Sequence, residues 1–97
     1  TVVMKGCIMH DAEYKQAYDA VVAKKFNDEK MEMALLVTKD KCLSKDQIAG
    51  IGRLFYNEDQ TLEFLKYAYD NCTERDTYYT LDSIFKFYSS RQDFMDF

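Results

Sequence analysis

The stretch Phe26-Asn27-Asp28-Glu29-Lys30-Met31 returns as Tyr56-Asn57-Glu58-Asp59-Gln60-Thr61-Leu62, and again as Phe87-Tyr88-Ser89-Ser90-Arg91-Gln92-Asp93-Phe94. Each occurrence is an aromatic residue, a polar or acidic turn and an apolar anchor. The anchors Met31, Leu62 and Phe94 stand 31 and 32 residues apart. A helix, a tight polar turn and a second helix make a unit of that length. Such a unit cannot bury its apolar face alone and must stack on a neighbour. Three helix pairs account for the chain. The tetratricopeptide pattern, with its tryptophan, glycine and terminal proline, is not met.

Working outward, the three-and-four spacing of one apolar helical face recurs on both sides of each turn. In residues 11–26 it is carried by Tyr14, Ala17, Tyr18, Val21 and Val22, after which Asn27 and Asp28 offer caps. A second helix, residues 29–41, is apolar nearly all round, with Met31, Met33, Ala34, Leu35, Leu36 and Val37, which predicts a central position. Ser44 followed by Gln47 is a capping box opening a third helix with the stripe Ile48, Ile51 and Phe55. Gly52 lies on the same side and suits a close helix crossing. Asn57 with Glu58 and Asp59 starts a fourth, where acids meet the positive end of the helix dipole. There Leu62, Leu65, Ala68, Tyr69 and Cys72 share one arc, while Phe64 and Tyr67 point away from it. Asp76 or Thr77 is expected to cap a fifth helix, and Ser89 or Ser90 a short terminal one presenting Phe94 and Phe97. The prediction is an all-α array of three helix-turn-helix pairs, five to six helices, over residues 10–97, after a short arm at residues 1–9.

Composition agrees. The 97 residues contain no proline, three glycines and fifteen aromatics (seven Phe, eight Tyr). Average usage would supply roughly twelve Gly plus Pro, so collagen-like sequence and turn-dependent sandwiches or barrels are disfavoured. Residues 1–48 balance eight lysines against eight acids, whereas residues 49–97 hold five basic and nine acidic residues and carry the whole net charge of −4. An acidic chain without a basic stripe fits neither nucleic acid nor an anionic membrane surface. No apolar run approaches the roughly eighteen residues of a spanning helix, so no membrane insertion is expected.

Little in the chain assembles into chemistry. Cys7 lies three residues before the single histidine, His10, a spacing on which a nucleophile–base pair can form, yet no third orienting group accompanies it. His10, Asp11 and Glu13 are a hard cluster, better read as acids serving a helix dipole than as a metal site. The calcium-loop pattern and a Gly-rich phosphate loop are both absent. No catalysis, metal or cofactor is expected. The three cysteines, Cys7, Cys42 and Cys72, have neither zinc spacing nor a disulfide framework. Cys42 and Cys72 end the second helices of successive units, about 10 Å apart if set by helix diameter, beyond the roughly 7 Å that a disulfide tolerates. Three free thiols are therefore expected, with Cys42 and Cys72 packing as small apolar side chains. The first residues, Thr-Val-Val-Met-Lys-Gly-Cys-Ile-Met, lack the plan of a signal peptide. A mature form from which such a segment was removed would look the same.

The order Phe26 to Met31, Gln47-Ile48, Phe55, Leu62, Ala68-Tyr69, Tyr78-Tyr79 and Phe85-Lys86-Phe87 resembles a domain-of-unknown-function family. That family is abundant at the C-terminus of exported Bacteroidetes proteins. The resemblance runs from His10 to Phe97, with departures at Asn57, at Thr61 and before Tyr78-Tyr79. It implies an all-helical fold, an exported or periplasmic setting and an interaction module. No activity comes with it.

The aromatics left off the main helical arcs are the candidate binding residues: Phe64, Tyr67, Tyr78 and Tyr79, tyrosine being favoured at interfaces for its apolar body and polar tip. The expected function is a non-catalytic protein-interaction or structural module whose partner is another protein. The competing expectation is a small-ligand or peptide-binding domain with a tyrosine-lined groove, which a concave, solvent-open tyrosine site would favour.

Overall fold

Ser44 accepts a hydrogen bond from the Gln47 N–H, and the Gln47 side chain accepts one from the Ser44 N–H, so the expected capping box is present. It opens α3 (Lys45–Gly52) in a computed structural model that describes residues 7–97. Around it lie α1 (Asp11–Val22), α2 (Asn27–Thr38), α4 (Glu58–Ala68) and α5 (Tyr88–Met95). A 3-10 turn, Tyr69–Asn71, and a longer 3-10 segment, Arg75–Ile84, fall between the last two. The protein is all-α, as its spacing predicts. α1 packs on α2, α3 on α4, and the long 3-10 segment on α5, giving three pairs in a slab of 37 × 35 × 16 Å.

The central helix is α4, not α2. It packs against α2, α3 and α5, and its Phe64, Leu65 and Ala68 are fully buried. Phe64 sits on the flank that the main arc leaves out, with the Phe55 ring 5.9 Å away. A helix covered on two flanks needs apolar residues outside one stripe, and α4 has them. On α2 the extra apolar residues are only partly covered, and Leu36 stays 65% exposed.

The longer 3-10 segment replaces the expected fifth α-helix. Thr, Tyr, Asp and Ser crowd it, all weak α-helix formers. The hydroxyls of Thr77, Thr80 and Ser83 each donate to the carbonyl three residues back, at Glu74, Thr77 and Thr80. Side chains at i and i+3 line up in a 3-10 helix, so that ladder of back-bonds favours the tighter winding. The backbone breaks from helical geometry at Thr77 (φ −116°, ψ 20°).

Several expected caps prove to be supplied from elsewhere in the array. Asn57 does cap α4, accepting from the Gln60 N–H at 2.9 Å. Asn27, by contrast, begins α2 without capping it and accepts instead from the Tyr56 N–H just before α4. Neither Ser89 nor Ser90 caps α5, whose N-cap position is Phe87; the carboxylate of Glu58 accepts from the Lys86 and Phe87 N–H groups at 2.5 and 3.2 Å. Asp76 is no cap either, and Glu74 accepts from the Lys45 N–H at the head of α3. Lys30 shows the same economy of partners: it is 5% exposed, donates to the Lys24 carbonyl and stands over the Tyr56 ring.

Burial works to raise the Glu58 pKa, but the hydrogen bonds from Lys86, Phe87 and Ser90 outweigh it and hold the carboxyl below the ordinary 4.5. A lowered folded-state pKa means that the stabilisation is present above the unfolded value and lost as pH falls through the folded one. Acidification below about pH 4 should therefore loosen the start of α5. Glu58→Gln should cost about 1 kcal/mol at neutral pH, the carboxyl being partly in water, and flatten the acid limb. Unfolding free energies measured from pH 7 to pH 3 check this; an acid limb identical in the variant counts against it.

Ends of successive pairs meet through extended residues rather than through helices. Ile8 forms a parallel bridge with Cys42, and Leu43 another with Cys72. This puts Cys7 and Cys42 at a Cα–Cα distance of 5.1 Å, and they form a disulfide, while Cys72 is a buried free thiol. The expectation of three free thiols is overturned at Cys7 and Cys42, a pair that helix diameter does not describe because their extended segments lie at sheet distance, whereas Cys42 and Cys72 are unbridged, as expected. Neighbouring residues in an extended segment point to opposite sides. Cys42 thus meets Cys7, and the fully buried Leu43 lies beside Cys72. Within the expected arm, Met9 is buried and hydrogen-bonded to Cys42 and Gln47; the remainder, residues 1–6, lies outside the described residues.

Candidate functional site: an aromatic groove

Where α4 ends, the chain turns through Tyr69–Asn71, and the 3-10 segment and α5 pack beside it. Between them lies a groove of about 420 Å³. Its floor is aromatic. Tyr69 and Tyr78 meet edge-to-face at 5.0 Å, Tyr69 meets Phe97 likewise at 5.5 Å, and Phe94 stacks obliquely on Tyr78 at 5.9 Å. Such geometries favour the ring quadrupoles and hold the floor in one arrangement. The Tyr78 hydroxyl faces inward, donating to the Leu65 carbonyl at 2.5 Å. Burial, and after it the neighbouring Cys72 and Tyr69, push its phenol far above the ordinary 10. Tyr78 therefore lies at the base of the groove, 4% exposed, and keeps its polar tip in the core.

The walls are wetter. Tyr79 is 60% exposed, Met95 54% and Phe97 53%. Lys66 at the end of α4 and Arg75 at the head of the 3-10 segment bring two cations, and Asp70 is the one acidic side chain among the lining residues. Nothing in this set pairs a nucleophile with a base. The lining offers stacking surface and charge, which is equipment for binding.

Of the four residues singled out by sequence, the structure brings Tyr78 and Tyr79 to this groove. Phe64 is fully buried and has no surface to offer, so it leaves the candidate set. Tyr67 lies elsewhere, 39% exposed with its hydroxyl 3.5 Å from the Leu35 carbonyl of α2. Sequence reading missed Tyr69, which it assigned to the buried arc, together with Lys66, Arg75, Phe94 and Phe97. The only signal for them was the run of aromatics after residue 68, which spacing alone does not fold together. The Cys7–His10 pair fails as a reactive set, since the Cys7 sulfur is bonded to Cys42. Glu13 of the acidic cluster is ion-paired with Lys41 at 2.8 Å, tying α1 to the segment that follows α2. Among the described residues no group of three or more His, Cys, Asp or Glu gathers as a metal site. None of their helices is long and apolar enough to cross a membrane.

Compared with known families, residues 8–97 match the one described as Domain of unknown function (DUF4476). No curated protein and no solved structure matches the chain.

Proposed function

The chain belongs to the family described as Domain of unknown function (DUF4476), matched over residues 8–97, and from that premise we propose that it is a non-catalytic protein-binding module of an exported protein. The observation that carries this reading is the open aromatic groove with no reactive set beside it. A binding site for a free small molecule usually buries most of its ligand. Here Tyr79, Met95 and Phe97 are each more than half exposed, which suits a segment running through an open trough. Export is supported by the Cys7–Cys42 disulfide, a bond that persists in oxidising compartments such as the periplasm and cell surface.

A second reading, a small aromatic ligand held in the same groove, draws on its concave form and on a volume within the usual range for ligand sites. One experiment separates the two. Affinity capture from a cell-envelope extract should lose a specific protein when Tyr79→Ala and Phe97→Ala are combined, and keep it with Tyr67→Ala. Both groove residues are exposed, so the truncations should cost little stability, within about 0.5 kcal/mol each. Unchanged capture by the double variant would discard the groove as the docking site; loss of a low-mass ligand in place of a protein would favour the second reading.

A further inference from the structure

We propose that the groove's occupant is a linear peptide segment of a partner protein carrying a bulky apolar side chain next to a carboxylate, an inference that rests on the protein-binding reading above. The floor sets the first half of that specificity. Tyr78 and Phe94, each 4% exposed, form the base beneath the partly exposed Tyr69 and the exposed Tyr79 and Phe97, and the one floor hydroxyl placed by a hydrogen bond, that of Tyr78, is turned into the core toward Leu65. A Phe, Trp or Leu side chain entering there buries apolar surface and gains edge-to-face contacts without stranding a polar group.

Charge sets the second half. Lys66 and Arg75 are exposed, and neither forms an ion pair among the described residues, whose ion pairs are Lys15–Asp19 and Lys41–Glu13. Counted by side chains, they outnumber Asp70 two to one in the lining, within a half-chain, residues 49–97, that sums to −4. Glu74, next to Arg75 in sequence, is engaged on the Lys45 N–H at the head of α3. Two of the five cations of that half-chain, Lys66 and Arg75, thus stand beside the aromatic floor. A quaternary ammonium ligand would find rings there but would meet two like charges; a carboxylate meets two opposite ones, and Arg75 can take it through paired N–H donors. Asp70 is left to accept a peptide N–H.

The test selects binders from a display library of random linear peptides on the whole domain. Affinities of the enriched peptides are then measured for the native protein, for Lys66→Glu with Arg75→Glu, and for Tyr79→Ala. The proposal expects Asp or Glu beside Phe, Trp or Leu in the enriched sequences. It expects about tenfold weaker binding to the charge-reversed variant and weakening by salt. Enriched peptides without acids, or indifferent to charge reversal yet lost on Tyr79→Ala, overturn the acidic specificity and leave the groove in place. No enrichment, or binding untouched by Tyr79→Ala, overturns both.

Discussion

Cys42→Ser is expected to destabilise the fold by about 4 kcal/mol, the loop-closure contribution for cysteines 35 residues apart. In a domain of this size that is a fall in Tm on the order of 15–30 °C. The bond joins the segment before α1 to the end of the first unit, just after α2, so its loss frees Met9 and the bridge at Ile8 as well. Native protein denatured without reductant should release one titratable thiol, Cys72; the Cys42→Ser variant should release two. Cys72→Ala is the control, expected to cost about 1 kcal/mol for a small buried side chain. Three thiols in the denatured native protein, or a Cys72 variant as damaging as the Cys42 one, would show that the pairing is wrong.

Phe64→Ala is the second large effect, a loss of about 3–5 kcal/mol from removing a fully buried ring between packed helices. Stability of small domains is itself only about 5–15 kcal/mol, so this variant stands near the edge of folding. Phe64→Leu, expected to cost about 1–2 kcal/mol, keeps the measurement possible if it falls. Tyr67→Ala, three residues further along the same helix and partly exposed, should cost less than about 1 kcal/mol. Urea titrations of the three variants read the contrast directly. If Phe64→Ala and Tyr67→Ala were equally mild, α4 would not be the covered centre of the array.

These two residues show how far a periodic pattern reaches. Spacing places Phe64 and Tyr67 off the main arc of α4 and stops there, because an arc says which residues share a side and not how many sides are covered. α2 packs on this helix as well, and the ring of Phe55 meets Phe64; none of this is encoded within eleven residues of helix. In the groove the legible part was Tyr78-Tyr79. Tyr69 and Phe97, 28 residues apart in sequence, meet only because the chain turns twice between them. Electrostatics followed the same division: the excess of acid in the second half was countable, but the gathering of Lys66 and Arg75 beside aromatic rings was not.

By itself the sequence determined the helical class, the three units, the starts of α3 and α4 at Ser44 and Asn57, and the buried anchors Met31, Leu62 and Phe94. All of these depend on neighbours within about one or two helical turns, where covalent connectivity already fixes who can meet whom. The tertiary structure alone decided the Cys7–Cys42 pairing, the caps that Asn27, Glu58 and Glu74 lend to other units, the centrality of α4 and the groove. Each of those joins residues 28 or more apart in sequence or from several elements. Their separations are set by how the slab stacks, and a pattern within one helix carries no record of that stacking.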